Sequence, residues 1–151
     1  MGIEISQWMR DELDRRKELH RLLFAGKPLE RIPINLGVSL PSPYSAREQM
    51  LDADKMLASG MANAMATWTH APSSDCIPAT RPDVGCSCLA SAFGASDYWG
   101  DDENQTLYVQ TKIITDLEKQ IDSIAVPDPY HDGWLPEGLR RIRMFAEAGE
   151  G

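Results

Sequence analysis

The stretch SSDCIPATRPDVG, Ser73 to Gly85, sets one carboxylate, Asp75, just ahead of a short apolar run that Pro78 and Pro82 interrupt. A carboxylate placed there can cap a turn, sit as a solvated loop charge, or stabilise a developing cation at the mouth of a pocket. Arg81 follows closely, and the polar Asn35 and Ser39 lie near the end of an earlier apolar segment, RIPINLGVSL. Other residue types that could do chemistry carry weaker patterns. His70, Cys76, Cys86 and Cys88 share one region, but the cysteine pair is C-x-C rather than C-x-x-C, and the remaining spacings match no zinc pattern. These cysteines are expected to pack as small hydrophobes, because no neighbouring base or cation marks any of them as a nucleophile. The run Asp101, Asp102, Glu103, Asn104 lacks calcium-loop spacing and reads as a solvated loop. The glycines of GCSCLASAFG form neither phosphate-binding signature. No metal, nucleotide or other cofactor is expected.

The elements that position these residues follow from periodicity. Between Glu4 and Phe24, the residues Ile5, Trp8, Met9, Leu13, Leu19, Leu22 and Leu23 fall largely on one side of a helical pattern, which predicts two helices or one broken near Arg15–Lys17. Gly26 and Pro28 end it. Arg31 to Leu40 predicts a buried strand entered through Pro33. From Ala46 to Trp68, Met50, Leu57, Met61, Met65 and Trp68 recur at helical spacing, and their thioethers are expected to fill a core rather than bind a soft metal. Cys76 to Ala79 predicts a second, brief strand. A strand–helix–strand unit of this size normally makes a right-handed parallel crossover, with functional groups at the carboxyl ends of the strands. Arg81 falls on that side, whereas Asp75 precedes its strand, which leaves the capping and catalytic readings both open. The glycine-punctuated stretch from Val84 to Ile114 reads as strand and loop. Thr115 to Ile121 predicts a helix with a Thr–Asp start, and a proline-rich turn leads to a last helix with Pro136 in its first turn.

Composition narrows the function classes. At 42% hydrophobic and 25% charged residues, the chain has the make-up of a folded globular protein. Its net charge of −8 repels phosphate backbones and anionic lipid, so neither nucleic acid nor a membrane surface is an expected partner. The clusters Arg15-Arg16-Lys17 and Arg140-Arg141-Arg143 have acids alongside and read as solvated helix faces. No window approaches a membrane span, the N-terminus has no signal-peptide pattern, and an odd number of cysteines fits a reducing compartment; the expectation is a cytoplasmic protein.

Four blocks together resemble the N-terminal part of the uroporphyrinogen decarboxylase superfamily. They are RIPINLGVSLPSPYSAREQM, SSDCIPATRPDVG, LASAFGASDYWGDDENQ and IITDLEKQIDSIAVPDPYHDGWLPEGLRRIRMF. The resemblance covers nearly everything from Arg31 onward. It implies an α/β fold, the first units of a (β/α)8 TIM barrel, with residues 1–30 as a helical arm and 31–151 as an incomplete barrel domain. It implies cofactor-free decarboxylation of a porphyrinogen or related carboxylated small molecule in tetrapyrrole metabolism; corrinoid-dependent methyl transfer is the neighbouring activity of the same superfamily. In the decarboxylases an aspartate on a serine–aspartate–apolar stretch holds pyrrole N–H groups and stabilises positive charge, and SSDCIPA carries Asp75 into that role. A glutamine–alanine–glycine–arginine motif before a leucine–proline pair is similar to NLGVSLP, so Asn35, Gly37 and Ser39 map to substrate binding. Val38 stands where that arginine is expected, and Arg81 is the candidate replacement.

A whole barrel needs about 250 residues, and 151 supply about two or three strand–helix units. The chain is therefore expected to act as part of a longer enzyme, with little activity alone and open strand edges that favour self-association. The reading from a different class is a small α/β binding or assembly protein without catalysis.

Overall fold

A computed structural model describes residues 5–100, 102, 108–109 and 112–149. The described chain falls into two units. One comprises the residues up to Pro41 with Gly60–Thr80, the other Ser42–Ser59 with the residues from Arg81 onward.

In the first unit, α1 (Gln7–Phe24) starts at Ser6, whose hydroxyl accepts from the Met9 amide. The break or second helix expected near Arg15–Lys17 is corrected: one helix runs through these residues. It ends where Gly26 takes φ +61°, so that the Gly26 amide reaches the Leu23 carbonyl at 3.0 Å and the Lys27 amide the Leu22 carbonyl at 3.0 Å. This double closure satisfies carbonyls that the helix leaves open and needs a residue free of a Cβ clash. The later turns of α3 (Ala53–His70) belong to the same unit. There Gly60 lies against Thr80 so closely that a Cβ would stand 1.9 Å from the threonine hydroxyl oxygen. The unit's fully buried residues are mostly polar, Arg16, Thr67, Ser74 and Asp75 beside Ala66, whereas Phe24 and Ile32 are more than four-fifths exposed.

The second unit has an apolar centre of Met50, Met56 and Phe145, with Leu57, Val84, Trp99 and Trp134 packed around it. The helix expected from Ala46 to Trp68 is two helices, α2 (Ala46–Leu51) and α3, because Asp52 leaves the helical region. The Asp52 carboxylate then accepts from the amides of Asp54 and Lys55, capping the start of α3. A capping box of Ser45 and Glu48 opens α2. The stretch read as strand and loop carries a short helix, α4 (Cys88–Ala92), and a two-residue antiparallel pair, β1 (Asp97–Tyr98) with β2 (Tyr108–Val109). Then come α5 (Leu117–Gln120), a 3-10 turn at Ile121–Ser123, and α6 (Leu135–Gly149), which has Pro136 in its first turn as the sequence requires.

The α/β reading as the start of a TIM barrel is corrected by this architecture. The described residues form helices and one two-residue strand pair, with no parallel sheet. The physical reason lies in where the backbone donors go. Arg31–Leu40 is extended, but its alternate amides donate to side chains: Ile34 to Asp75, Leu36 to Ser74, Val38 to Thr67 and Leu40 to Asn63. Side-chain acceptors thus occupy the edge where a neighbouring strand would sit. Cys76–Ala79 likewise joins no ladder, and Pro78 has no amide to give one.

The two arginine clusters read as solvated faces are also corrected, because Arg141 in α6 and Arg16 in α1 are buried. The Arg141 guanidinium bonds Glu137 at 2.6 Å and donates to the Met50 carbonyl at 2.6 Å, which is one of the carbonyls left open at the end of α2. Its neighbour Arg140 holds the same glutamate from the exposed side. Arg141→Met is therefore expected to cost about 2–4 kcal/mol in urea unfolding, since a buried carbonyl loses its donor, while Arg140→Ala leaves the unfolding midpoint nearly where it was. Equal losses for the two variants would refute this division of roles.

Candidate functional site

The Ser74–Asp75 dipeptide sits in the loop after α3 and reads the extended segment beside it. The Asp75 amide donates to the Ile34 carbonyl at 2.8 Å, and the Ile34 amide returns a bond to Asp75 Oδ2 at 2.9 Å. The Ser74 hydroxyl oxygen accepts from the amides of Leu36 at 2.8 Å and Cys76 at 3.0 Å. Both residues have no appreciable solvent exposure. A buried ionised carboxylate needs cationic partners, and two come from elsewhere in the same unit. Arg31 grips it with both terminal nitrogens, Nη1 to Oδ2 at 2.5 Å and Nη2 to Oδ1 at 2.6 Å. Arg15 Nη2 reaches Oδ1 at 3.3 Å.

Around this pair lies a further layer from α1. Arg15 also holds Glu12 through Nε at 2.8 Å and Nη2 at 2.7 Å. Arg16 bonds Glu12 at 2.9 Å, donates to the carbonyls of Cys76 at 2.8 Å and Pro72 at 2.9 Å, and lies over the Trp68 ring at 4.3 Å. Trp8 meets Trp68 edge to face, with ring centroids 5.8 Å apart. His20 Nε2 is 3.0 Å from the Asp75 carbonyl oxygen, which can only accept, so that nitrogen carries the proton.

Charge decides what the cluster can do. The Arg31 hydrogen bonds, helped by the Ile34 amide and Arg15, hold the Asp75 carboxyl well below the ordinary carboxylate range against the opposing effect of burial. Glu12 is drawn down to about 2, mainly by its hydrogen bond to Arg15. Asp75 is thus a fixed anion at neutral pH and cannot donate a proton. Arg15, Arg16 and Arg31 outnumber Glu12 and Asp75 by one positive charge, and the side chains of Arg15 and Arg31 remain 49% and 47% exposed. The arrangement can hold a ligand carboxylate from outside while keeping a carboxylate of its own beneath.

Of the residues singled out in the sequence, Asp75 occupies the centre of this cluster. Asn35, Gly37 and Ser39 are exposed on the extended segment and alternate with the residues whose amides face Asp75, Ser74, Thr67 and Asn63. A Cβ added at Gly37 would meet nothing within 4 Å. Arg81 belongs to the other unit and is exposed. The residues that sequence reasoning missed are Glu12, Arg15, Arg16, Arg31 and Ser74. A signal for the first three is the recurrence of Glu-x-x-Arg-Arg as Glu12–Arg16 and Glu137–Arg141, with the second arginine buried each time. Among the described residues no group of three or more His, Cys, Asp or Glu side chains could hold a metal ion, and no helix is long and apolar enough to cross a membrane. The acids Asp101 and Glu103, with Asn104, lie outside the described residues. Comparison of the chain with protein-family models, curated proteins and solved structures gives no match.

Asp75→Asn keeps the side chain's shape and removes its charge, and is expected to cost about 2–3 kcal/mol in chemical denaturation. A loss below about 0.5 kcal/mol would mean that the cluster does not hold the unit together. The pH dependence has a defined sign. Glu12 and Asp75 are both lowered in the folded state, so they stabilise it fully above their ordinary values of 4.5 and 3.8 and lose that contribution as the pH falls toward about 2 and below. Glu12→Gln should flatten the decline in stability between pH 4.5 and 2. An unchanged slope in acid titrations of stability would contradict this.

Proposed function

We propose that this chain supplies the carboxylate-recognising site of a uroporphyrinogen decarboxylase-like enzyme. The observation that carries the reading is the ionised, buried Asp75 beneath two half-exposed guanidiniums. Cofactor-free decarboxylation of a carboxymethyl-pyrrole proceeds by protonation of a ring carbon, rupture of the bond to CO2 to leave an exocyclic methylene, protonation of that methylene to a methyl group, and loss of the proton first added to the ring, so that one proton replaces CO2. The cationic ring formed on the way is stabilised by a carboxylate that stays ionised in a site of low dielectric constant. Arg31 and Arg15 then hold the peripheral carboxylates, which compensates for Val38 at the place of the family's arginine. Corrinoid-dependent methyl transfer is the neighbouring activity that the same resemblance allows.

Binding is the test suited to the chain itself. Uroporphyrin, the stable oxidised relative of the substrate, is expected to quench the fluorescence of Trp8 and Trp68, and Arg31→Ala should weaken its binding about tenfold. No binding by the wild-type chain would sink the decarboxylase reading. Binding of a corrinoid without binding of the porphyrin would move the assignment to methyl transfer.

A second reading, assembly without catalysis, is favoured by one observation. Ile32, Ile34, Leu36 and Leu40 are exposed at alternate positions of the extended segment, an apolar row of the kind that protein contacts cover. Under that reading the chain self-associates in sedimentation velocity, and Ile32→Lys with Leu36→Lys returns it to a monomer. A monomer at all concentrations would remove it.

A further inference from the structure

We propose that Arg31 is an exchangeable latch: an incoming carboxylate takes the Arg31 fork away from Asp75, and the two arginines then bind the ligand beside the uncovered Asp75. This rests on the reading that the cluster receives carboxylated ligands, and adds how a site already filled by its own carboxylate can accept one.

The two guanidiniums on Asp75 are anchored very differently. Arg15 projects from the middle of α1 and is fixed there by two bonds to Glu12. Arg31 stands at a bend beyond the end of α1, and among the described residues its side chain makes one hydrogen bond apart from those to Asp75, at 3.4 Å to the neighbouring Ile32 carbonyl. Nearly half of its side chain faces solvent. Releasing it therefore disturbs no helix.

Asp75 can tolerate the release. Oδ2 keeps the Ile34 amide at 2.9 Å, and Oδ1 keeps Arg15, whose 3.3 Å contact has room to shorten. The other charged or titratable groups around it, Glu12, Arg16 and His20, retain their own partners. For Arg31 the exchange replaces one bidentate carboxylate with another, so the bond type is conserved and the balance is set by ligand concentration. Excess positive charge in the cluster favours the incoming anion. The released Asp75 carboxylate then faces the ligand with acceptor capacity that Arg31 had occupied, which suits a carboxylate-bearing molecule with an N–H donor close by.

The test uses tricarballylate as the probe at neutral pH, where the probe and Asp75 are both ionised, and the carbon-13 resonance of the Asp75 carboxyl as the readout in the wild-type chain. Saturating probe is expected to move that resonance, because the bidentate cationic partner of Asp75 has left. Calorimetry should show binding at least tenfold weaker in Arg31→Ala and at least tenfold tighter in Asp75→Asn, which removes the internal competitor. Far-UV circular dichroism checks that both variants are folded, and the wild-type resonance needs neither variant. Probe binding with an unmoved Asp75 resonance overturns the latch, and so does failure of the wild-type chain to bind the probe. The two readings fail separately. Uroporphyrin binding with an unmoved resonance removes the latch alone, whereas exchange with tricarballylate without uroporphyrin binding removes the decarboxylase reading alone.

Discussion

A guanidinium taken out of water must find acceptors for its donors, and that requirement organises both units. Arg16 and Arg141 are among the largest fully buried side chains, and each is satisfied in the same way. A glutamate four residues earlier on the same helix takes one edge, and backbone carbonyls from a distant part of the chain take the rest. The helix can dock only where those carbonyls converge. Burying an ion pair is a poor source of net stability, but it penalises every arrangement that leaves the charge unpaired. In the first unit, where Ala66 is the sole apolar residue among the described residues that are buried, this specificity has unusual weight.

The candidate site grows from that constraint rather than being added to it. Arg16 fixes α1 against the loop that carries Asp75, and α1 in turn delivers Arg15 to the carboxylate. Ser74 and Asp75 then tether the extended segment, which brings Arg31 to the same place. The structural role and the proposed recognition role fall on the same side chains, so a change at Asp75 would be felt in both. The capping contact that Asp75 makes and the catalytic role proposed for it therefore involve one carboxylate. The carboxylate that caps the Ile34 amide is the one held ionised beneath the exposed cations.

What the sequence made legible follows interaction range. Helix ends set by local chemistry were readable: Gly26 and Pro28 after α1, Pro136 in α6 and the Thr–Asp start ahead of α5. The break at Asp52 was readable in principle, since an aspartate before Ala-Asp-Lys is a ready helix cap, but the methionine periodicity runs across it. The barrel reading failed because apolar composition reports extended backbone and not its partner. Arg31–Leu40, expected as a buried strand, joins no strand and is largely exposed, and four side chains receive its alternate amides. The arginine clusters were misjudged for a related reason. Helical spacing pairs Glu12 with both Arg15 and Arg16, and which of the two is buried depends on a loop about sixty residues away.

Holding a segment by side chains instead of a ladder has a consequence for how it opens. In a sheet, neighbouring amides share one cooperative fate because a whole strand must separate before any is released. Here Ile34, Leu36, Val38 and Leu40 each answer to a different residue, Asp75, Ser74, Thr67 and Asn63. Solvent deuterium can therefore reach these four positions one at a time, in a graded series whose order is set by burial: first beside the more accessible Asn63, last beside Ser74 and Asp75. The segment behaves as a row of separate fasteners, and losing one leaves the others closed.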